Sequence, residues 1–358
     1  MAGGPQRRAL LATALSPAAV AGARAQGWPQ GREVRDAAGR SAALPARVGH
    51  VFPAGPPASI LVWSVAPDLL AGWPGRGARP AELDFLAPEA AALPAVGRLT
   101  GRDNTANVEA VLAQRPDLVL DYGSVGATYV SLADRVREQT GLPVLLLDGR
   151  LARIPETFRL LGGILDRREA AEARASAASR LLGEAEDAAA ALRARGRPRV
   201  LYVRGPRGGE TGTAGSITTE TIEIAGAENV AAGGGPGTGS LAPLSVEQAL
   251  AWDPDWVIGI HPDFPSHARQ NPVWRTLRAV RDGPLALAPS LPYGWVDFPP
   301  SVNRLIGLAW LPVLFGARPA GGLAATMSEL YTLLFHRAPE PAQVEALLRP
   351  ALPARGGG

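Results

Sequence analysis

NVEAVLAQRPDLVLDYG, residues 107–123, and SVEQALAWDPDWVIGIH, residues 245–261, have the same layout: a polar residue, Val-Glu, a helical stretch, Pro-Asp, then an apolar run of strand length. In the first copy Val108, Val111 and Leu112 make a buried helical stripe that Asn104 or Thr105 can cap and Pro116 ends. In the second copy the pattern predicts a helix over 246–251 and a strand from Trp256 to Ile260. One helix and strand pair in each half reads as an internal duplication of fold, giving two similar lobes.

Further apolar runs lie outward from this pair. Ser59 to Val65 and Val144 to Asp148 read as strands beside Leu118 to Tyr122, and Val200 to Val203 reads as a strand beside Trp256 to Ile260. The three runs of the first half are each followed by Pro, Gly or Asp, with helical stretches between, and the second half repeats this alternation of an α/β chain with mainly parallel sheets. Glu156 to Arg195 is rich in Ala, Leu, Glu and Arg, with one stripe at Phe158, Leu161, Ile164 and Leu165 and another at Ala177, Leu181, Ala185 and Leu192. That composition predicts a long helical connector over 153–195, with Gly162-Gly163 a place for a bend. The expected organisation is an N-terminal lobe over 26–152, the connector, a C-terminal lobe over 196–350 and a disordered tail over 351–358.

Arg7-Arg8, the apolar stretch from Ala9 to Ala23 and Ala23-Arg24-Ala25 before Gln26 have the three parts of an export signal, so 1–25 reads as a signal peptide. RRALLA resembles a twin-arginine export motif. No later run approaches eighteen uninterrupted apolar residues, and without cysteine there is neither a lipid anchor on sulfur nor a disulfide. The chain has 36 basic and 33 acidic residues, and residues 1–25 hold three arginines and no acid, so the remainder carries 33 of each sign. A balanced charge argues against a nucleic-acid partner. Every basic residue is arginine. The absence of lysine excludes a Walker lysine, a Schiff-base lysine and a Ser-Lys dyad.

Catalytic motifs are weak. GGGPGTG at 233–239 lacks the lysine of a phosphate loop and follows no strand, and Ser216 has no histidine near it in sequence. HPDFPSH, His261 to His267, offers two imidazoles and Asp263 to a metal, yet its place at a strand end also suits a solvated loop. Binding features are stronger. YGWVDFPPSVNRLIGLAWL, Tyr293 to Leu311, sets Tyr293, Trp295, Asp297 and Phe298 on a turn stiffened by Pro299 and Pro300, with Ser301 placed to cap the helix that follows. Arg204 and Arg207 stand among glycines directly after a strand, where guanidinium groups can take carboxylates or oxyanions in bidentate fashion or simply be solvated. Trp63, Arg98 and Tyr122 occupy matching positions beyond strand ends of the first half, which is where ligands of open parallel sheets bind.

EVRDAAGR from Glu33, the two duplicated segments, the long connector, WRTLRAVRDGPLALAP from Trp274 and FHRAPEPAQVEALL from Phe335 resemble, in that order, the periplasmic substrate-binding proteins of iron-complex, siderophore, haem and cobalamin ABC importers. The resemblance implies two Rossmann-like lobes joined by a single long helix, a ligand in the cleft between them and little hinge motion. It also implies a monomer in the periplasm that docks on an ABC permease and its ATPase through one glutamate per lobe, Glu109 and Glu247. No enzyme and no cofactor is implied. The ligand would be a metal complex, a ferric chelate or siderophore, haem or cobalamin, with Trp63, Tyr122, Tyr293 and Trp295 covering its apolar frame and Arg98, Arg204 and Arg207 pairing with its acidic groups. The histidine sets of zinc receptors and a Cys or Met cluster for haem are missing. A relative type binds molybdate or tungstate, and arginine-rich loops suit such an anion as well.

Overall fold

The computed structural model describes residues 31–100, 108–231 and 240–352. The export signal, the caps Asn104 and Thr105, the glycine run at 233–239 and the last six residues lie outside them. A hairpin of β1 (Arg32–Arg35) and β2 (Ser41–Leu44) leads into β3 (Val51–Pro53), α1 (Pro56–Val65), the short α2 (Pro80–Leu83), α3 (Val108–Ala113), β4 (Leu118–Gly123), α4 (Ala127–Thr140) and β5 (Val144–Asp148). Two helices follow, α5 (Ile154–Leu165) and α6 (Arg168–Arg195). The second half runs through β6 (Arg199–Val203), β7 (Glu210–Gly212), α7 (Glu220–Ile224), β8 (Glu228–Asn229), β9 (Leu241–Pro243), α8 (Val246–Trp252), β10 (Trp256–Gly259), α9 (Phe264–Gln270), α10 (Arg278–Arg281) and β11 (Leu285–Leu287). Helices α11 (Arg304–Leu314), α12 (Leu323–Phe335) and α13 (Pro341–Ala351) close the chain.

Each lobe has a parallel sheet, ordered β3-β4-β5 in the first and β11-β10-β6-β8 in the second. The duplicated segments form α3-β4 and α8-β10, and their shared wording has a shared physical role. Arg115 and Asp253, at equal positions, end the helices with φ of 47° and 40°. Two residues later, Asp117 Oδ2 accepts the backbone N–H groups of Gly49 and His50 at 2.7 and 2.9 Å, and Asp255 Oδ2 accepts that of Arg199 at 3.0 Å. Each aspartate therefore ties the start of its own strand to the start of the neighbouring one, setting the registers Val51 to Leu118 and Val200 to Trp256.

Strand parity divides the cores. Leu118, Leu120 and Tyr122 of β4, Leu145 and Leu147 of β5, and Val200 and Tyr202 of β6 face one large cluster that also takes in α1, α5, α6, α11 and α12. Val119, Val144 and Leu146 face a separate cluster under α3 and α4, and Leu201, Val203 and Val257 face a third under α8, α9 and α10. Sheets covered on both faces need continuous apolar strands, which these are. The inner faces of both sheets thus share one helical layer.

Several local expectations change. Ser59 to Val65 is not a strand but most of α1, with Pro56 and Pro57 in its first turn and every residue from Ala58 to Val65 buried. A helix buried all round has the same unbroken apolar run as a buried strand. The stretch over 153–195 is two helices, because Asp166 adopts φ 53° and ends α5 before α6 begins; the break is there and not at Gly162-Gly163. Ser301 does not cap α11, which starts at Arg304; its hydroxyl donates to the Pro57 carbonyl at 2.7 Å. Ala351, expected in a tail, closes α13, buried, with its carbonyl accepting the Trp310 indole N–H at 3.1 Å. Helix α12 packs on α1 of the first lobe, where Phe335 O accepts Ala87 N–H at 3.1 Å and the His336 ring bonds Trp63 O at 2.9 Å.

Candidate ligand site

A cavity of about 640 Å³ lies between the lobes at the carboxyl ends of the strands. Its first wall is the start of α1 at Pro56, Ser59 and Ile60, the segment Trp73 to Arg79, Glu82 of α2, and Arg98. Its second wall is Ile260, His261 and Pro262 beyond β10 and the segment from Ser290 to Pro299 beyond β11. Both lobes contribute loops that leave a sheet at its carboxyl edge, which is where the fold class holds ligands.

The loop of the second wall is fixed from several sides. Asn303 Nδ2 donates to Gly294 O at 2.5 Å and to Pro299 O at 3.1 Å, and Thr221 Oγ1 donates to Val296 O at 3.0 Å. Gly307 of α11 permits close contact with the loop, because a Cβ there would sit 2.1 Å from Trp295 O. Asp297 is buried on the cavity wall, accepts the Tyr202 hydroxyl at 2.9 Å and pairs with Arg204 NH1 at 3.3 Å. Burial pushes its carboxyl upward and the Arg204 guanidinium opposes that shift. Phe298, 63% exposed with φ 64°, holds its ring 5.1 Å from the Arg204 guanidinium carbon.

Of the residues expected to bind ligand, Arg98, Tyr293 and Asp297 line the cavity. Arg204 is outside the lining and stands behind two wall residues, Asp297 and Phe298. Arg207 is exposed and lies outside the cavity lining, in the turn that Arg204 N–H closes on Glu210 O at 2.8 Å and that leads into β7. Trp63, Tyr122 and Trp295 are in the core and not on the wall. Tyr122 falls on the inner parity of β4, Trp295 donates its indole N–H to Tyr331 at 3.1 Å, and Trp63 lies in α1 against Trp73, with ring centroids 5.2 Å apart. Trp63 thus backs a wall residue without being one.

Sequence reasoning missed Trp73, Arg76, Arg79 and Glu82, and it read His261 as loop solvation. The signal for Glu82 was present: Pro80 followed by Glu two residues later marks a helix start whose acid turns back on the preceding residue. Glu82 Oε2 does accept the Arg79 N–H, at 2.7 Å. The arginines around Glu82 hold its carboxyl below the usual range although burial works against them. Burial raises the Tyr293 phenol, the Glu82 charge adds to that rise and the Arg76 and Arg79 charges oppose it; Tyr293 and Glu82 both line the cavity. No group of three or more His, Cys, Asp or Glu suited to a metal occurs among the described residues. No helix among them is long and apolar enough to cross a membrane.

Glu109 and Glu247 lie on the exposed sides of α3 and α8, each in the first turn of its helix, at equal positions of the duplicated unit.

A family model described as periplasmic binding protein matches residues 87–291. Among solved structures, the chain is similar to an ABC transporter solute binding protein from Sulfurospirillum deleyianum, with 25% identity, TM-score 0.79, and coverage of 88% of this chain and 98% of that one. It is also similar in fold to the molybdate periplasmic binding protein MolA of Haemophilus influenzae bound to molybdate, with 18% identity, TM-score 0.70, and coverage of 87% and 99%. A periplasmic heme binding protein from Pseudomonas aeruginosa shares the fold at 24% identity and TM-score 0.57, over 75% of this chain and 92% of that one. No curated protein matches the sequence.

Proposed function

The chain belongs to the periplasmic binding protein family, and from that premise we propose that it is the solute-binding component of an ABC importer. It captures a metal complex in the cleft and delivers it to the membrane permease and its ATPase. The carrying observation is the cavity of about 640 Å³ between the lobes, whose walls combine aromatic rings with guanidinium groups. That volume suits an organic chelate. Trp73, Tyr293 and Phe298 offer rings to its apolar frame, while Arg98 pairs with its acidic groups. The complex is a ferric chelate of siderophore type, haem or cobalamin.

A bare oxyanion, molybdate or tungstate, is the second reading. The arginines grouped around Glu82 favour it, and one similar fold holds molybdate. Export to the periplasm, a monomeric state and a function without catalysis belong to the same proposal.

We further assign Glu109 and Glu247 to permease docking, one acid on each lobe, since both are exposed at equivalent helix starts.

Native mass spectrometry with metal analysis, on protein exported to a periplasm and purified folded, tests the ligand. A bound mass of several hundred daltons carrying iron or cobalt is the expected result. A small adduct containing molybdenum or tungsten would shift the assignment to the oxyanion, and a bound metabolite without metal would refute both.

A further inference from the structure

The first wall of the cleft carries two cations on one buried anion. Glu82, with 5% of its side chain exposed, accepts from Arg76 NH2 at 2.9 Å and NH1 at 3.2 Å, and from Arg79 Nε at 2.9 Å. Arg76 NH1 also donates to Gly77 O at 3.0 Å. One carboxylate cannot balance two guanidinium groups, so the trio keeps a unit of positive charge where it borders the cavity. Arg76 and Arg79 leave 58% and 56% of their side chains exposed. A guanidinium has five N–H groups, and these bonds use only part of each fork. Glu82 fixes both arginines before any ligand arrives, which removes the ordering cost that long surface side chains otherwise carry on binding. The acid on the opposite wall, Asp297, is already held by Arg204 and Tyr202.

We propose that Arg76 and Arg79, anchored by Glu82, form a clasp for an anionic oxygen group of the ligand, so that the cleft selects a negatively charged ligand over a neutral one. The group is either a carboxylate of an organic metal chelate or a bare tetrahedral oxyanion. The inference rests on the reading of this cleft as the ligand site and deepens it by fixing the sign of the ligand's charge.

The test titrates ferric citrate, metal-free citrate, molybdate and an uncharged ferric trihydroxamate into the full-length protein by calorimetry. The panel is repeated on Arg76→Gln, Arg79→Gln and the triple variant with Glu82→Gln, which strands no buried carboxylate. At least one anionic probe is expected to bind, to weaken tenfold or more in each single variant and further in the triple variant, and to bind less tightly as salt rises. The uncharged probe is expected to bind at least a hundredfold more weakly. Ferric citrate bound in preference to molybdate identifies a chelate carboxylate as the partner of the clasp, and the reverse identifies a bare oxyanion. Metal-free citrate or molybdate bound without any iron chelate would keep the clasp and end the chelate reading. Trihydroxamate bound equally by wild type and triple variant would end the clasp and keep the chelate reading. Failure of every anionic probe, or wild-type affinity for one in the triple variant, overturns the proposal.

Discussion

At the scale of single residues, buried ionisable groups set measurable properties. Asp121 on β4 accepts the Tyr122 N–H at 2.9 Å and the Thr100 hydroxyl at 3.3 Å, and burial pushes its carboxyl up to about 6. Folding therefore favours the protonated acid. Its contribution is fully present below the unfolded value near 4 and is lost as pH rises through about 6. Asp121→Asn should remove this dependence, so that from pH 4 to pH 7.5 the wild type loses roughly 2 kcal/mol relative to the variant. Urea denaturation of both proteins across that range measures it; a constant difference refutes it. Legibility at this scale was uneven. Tyr293 and Asp297 could be placed at the cleft from the prolines and aromatics around them, whereas Trp63, Tyr122 and Trp295 share the same composition but are turned inward. Which way a ring faces depends on strand parity and helix phase, and an error of one residue at a boundary inverts it.

At the scale of elements, the apolar runs over 118–122, 144–148, 200–203 and 256–260 coincide with β4, β5, β6 and β10 to within a residue or so, because buried parallel strands have short bounded runs. The run over 59–65 meets the same description and is a helix, since only its packing against α5, α12 and β4 separates the two outcomes. Helix α11 and the loop before it make one unit through Gly307. Gly307→Ala would press a methyl group against Trp295 O, also 2.9 Å from the Thr221 side chain, and displace the loop that bears Tyr293 and Asp297. The expected cost is about 1 to 3 kcal/mol in thermal or chemical denaturation, together with weaker ligand capture, although alanine is the better helix former. Unchanged stability would show that the loop is not clamped by α11.

At the scale of the whole molecule, one guanidinium joins the halves. Arg304, fully buried on α11, donates to Gly149 O beyond β5 at 2.5 Å, to Ile217 O at 3.0 Å, to Ser301 O at 3.1 Å and to Glu220 Oε2 at 3.1 Å, while Glu220 also accepts Leu151 N–H at 2.8 Å. Arg304→Met would leave the carbonyl groups and Glu220 without their donor, at a cost of about 3 to 5 kcal/mol. Calorimetry should show a large fall in Tm, and a small one would mean that water replaces the guanidinium. For docking, charge reversal of Glu109 together with Glu247 should leave ligand affinity intact and abolish uptake; normal uptake would refute the assignment. The two-lobed plan was legible from the repeated Val-Glu and Pro-Asp wording because each copy carries its own strand-tying aspartate. The shared helical layer was not, since no local pattern announces which distant helices will meet.

That shared layer also constrains the order in which the chain can mature. Trp63 and Phe85 of the first lobe are buried with Tyr331 and Phe335, and the Leu83 and Leu86 carbonyls accept from Arg337 at 3.2 and 3.4 Å. The first lobe is therefore sealed by a segment synthesised only after every strand of the second sheet. During elongation it waits with an open hydrophobic flank, and a truncation that spares every residue of the first sheet but stops before α12 leaves that flank bare. The vulnerable period for aggregation or proteolysis thus lasts until α12 has been made.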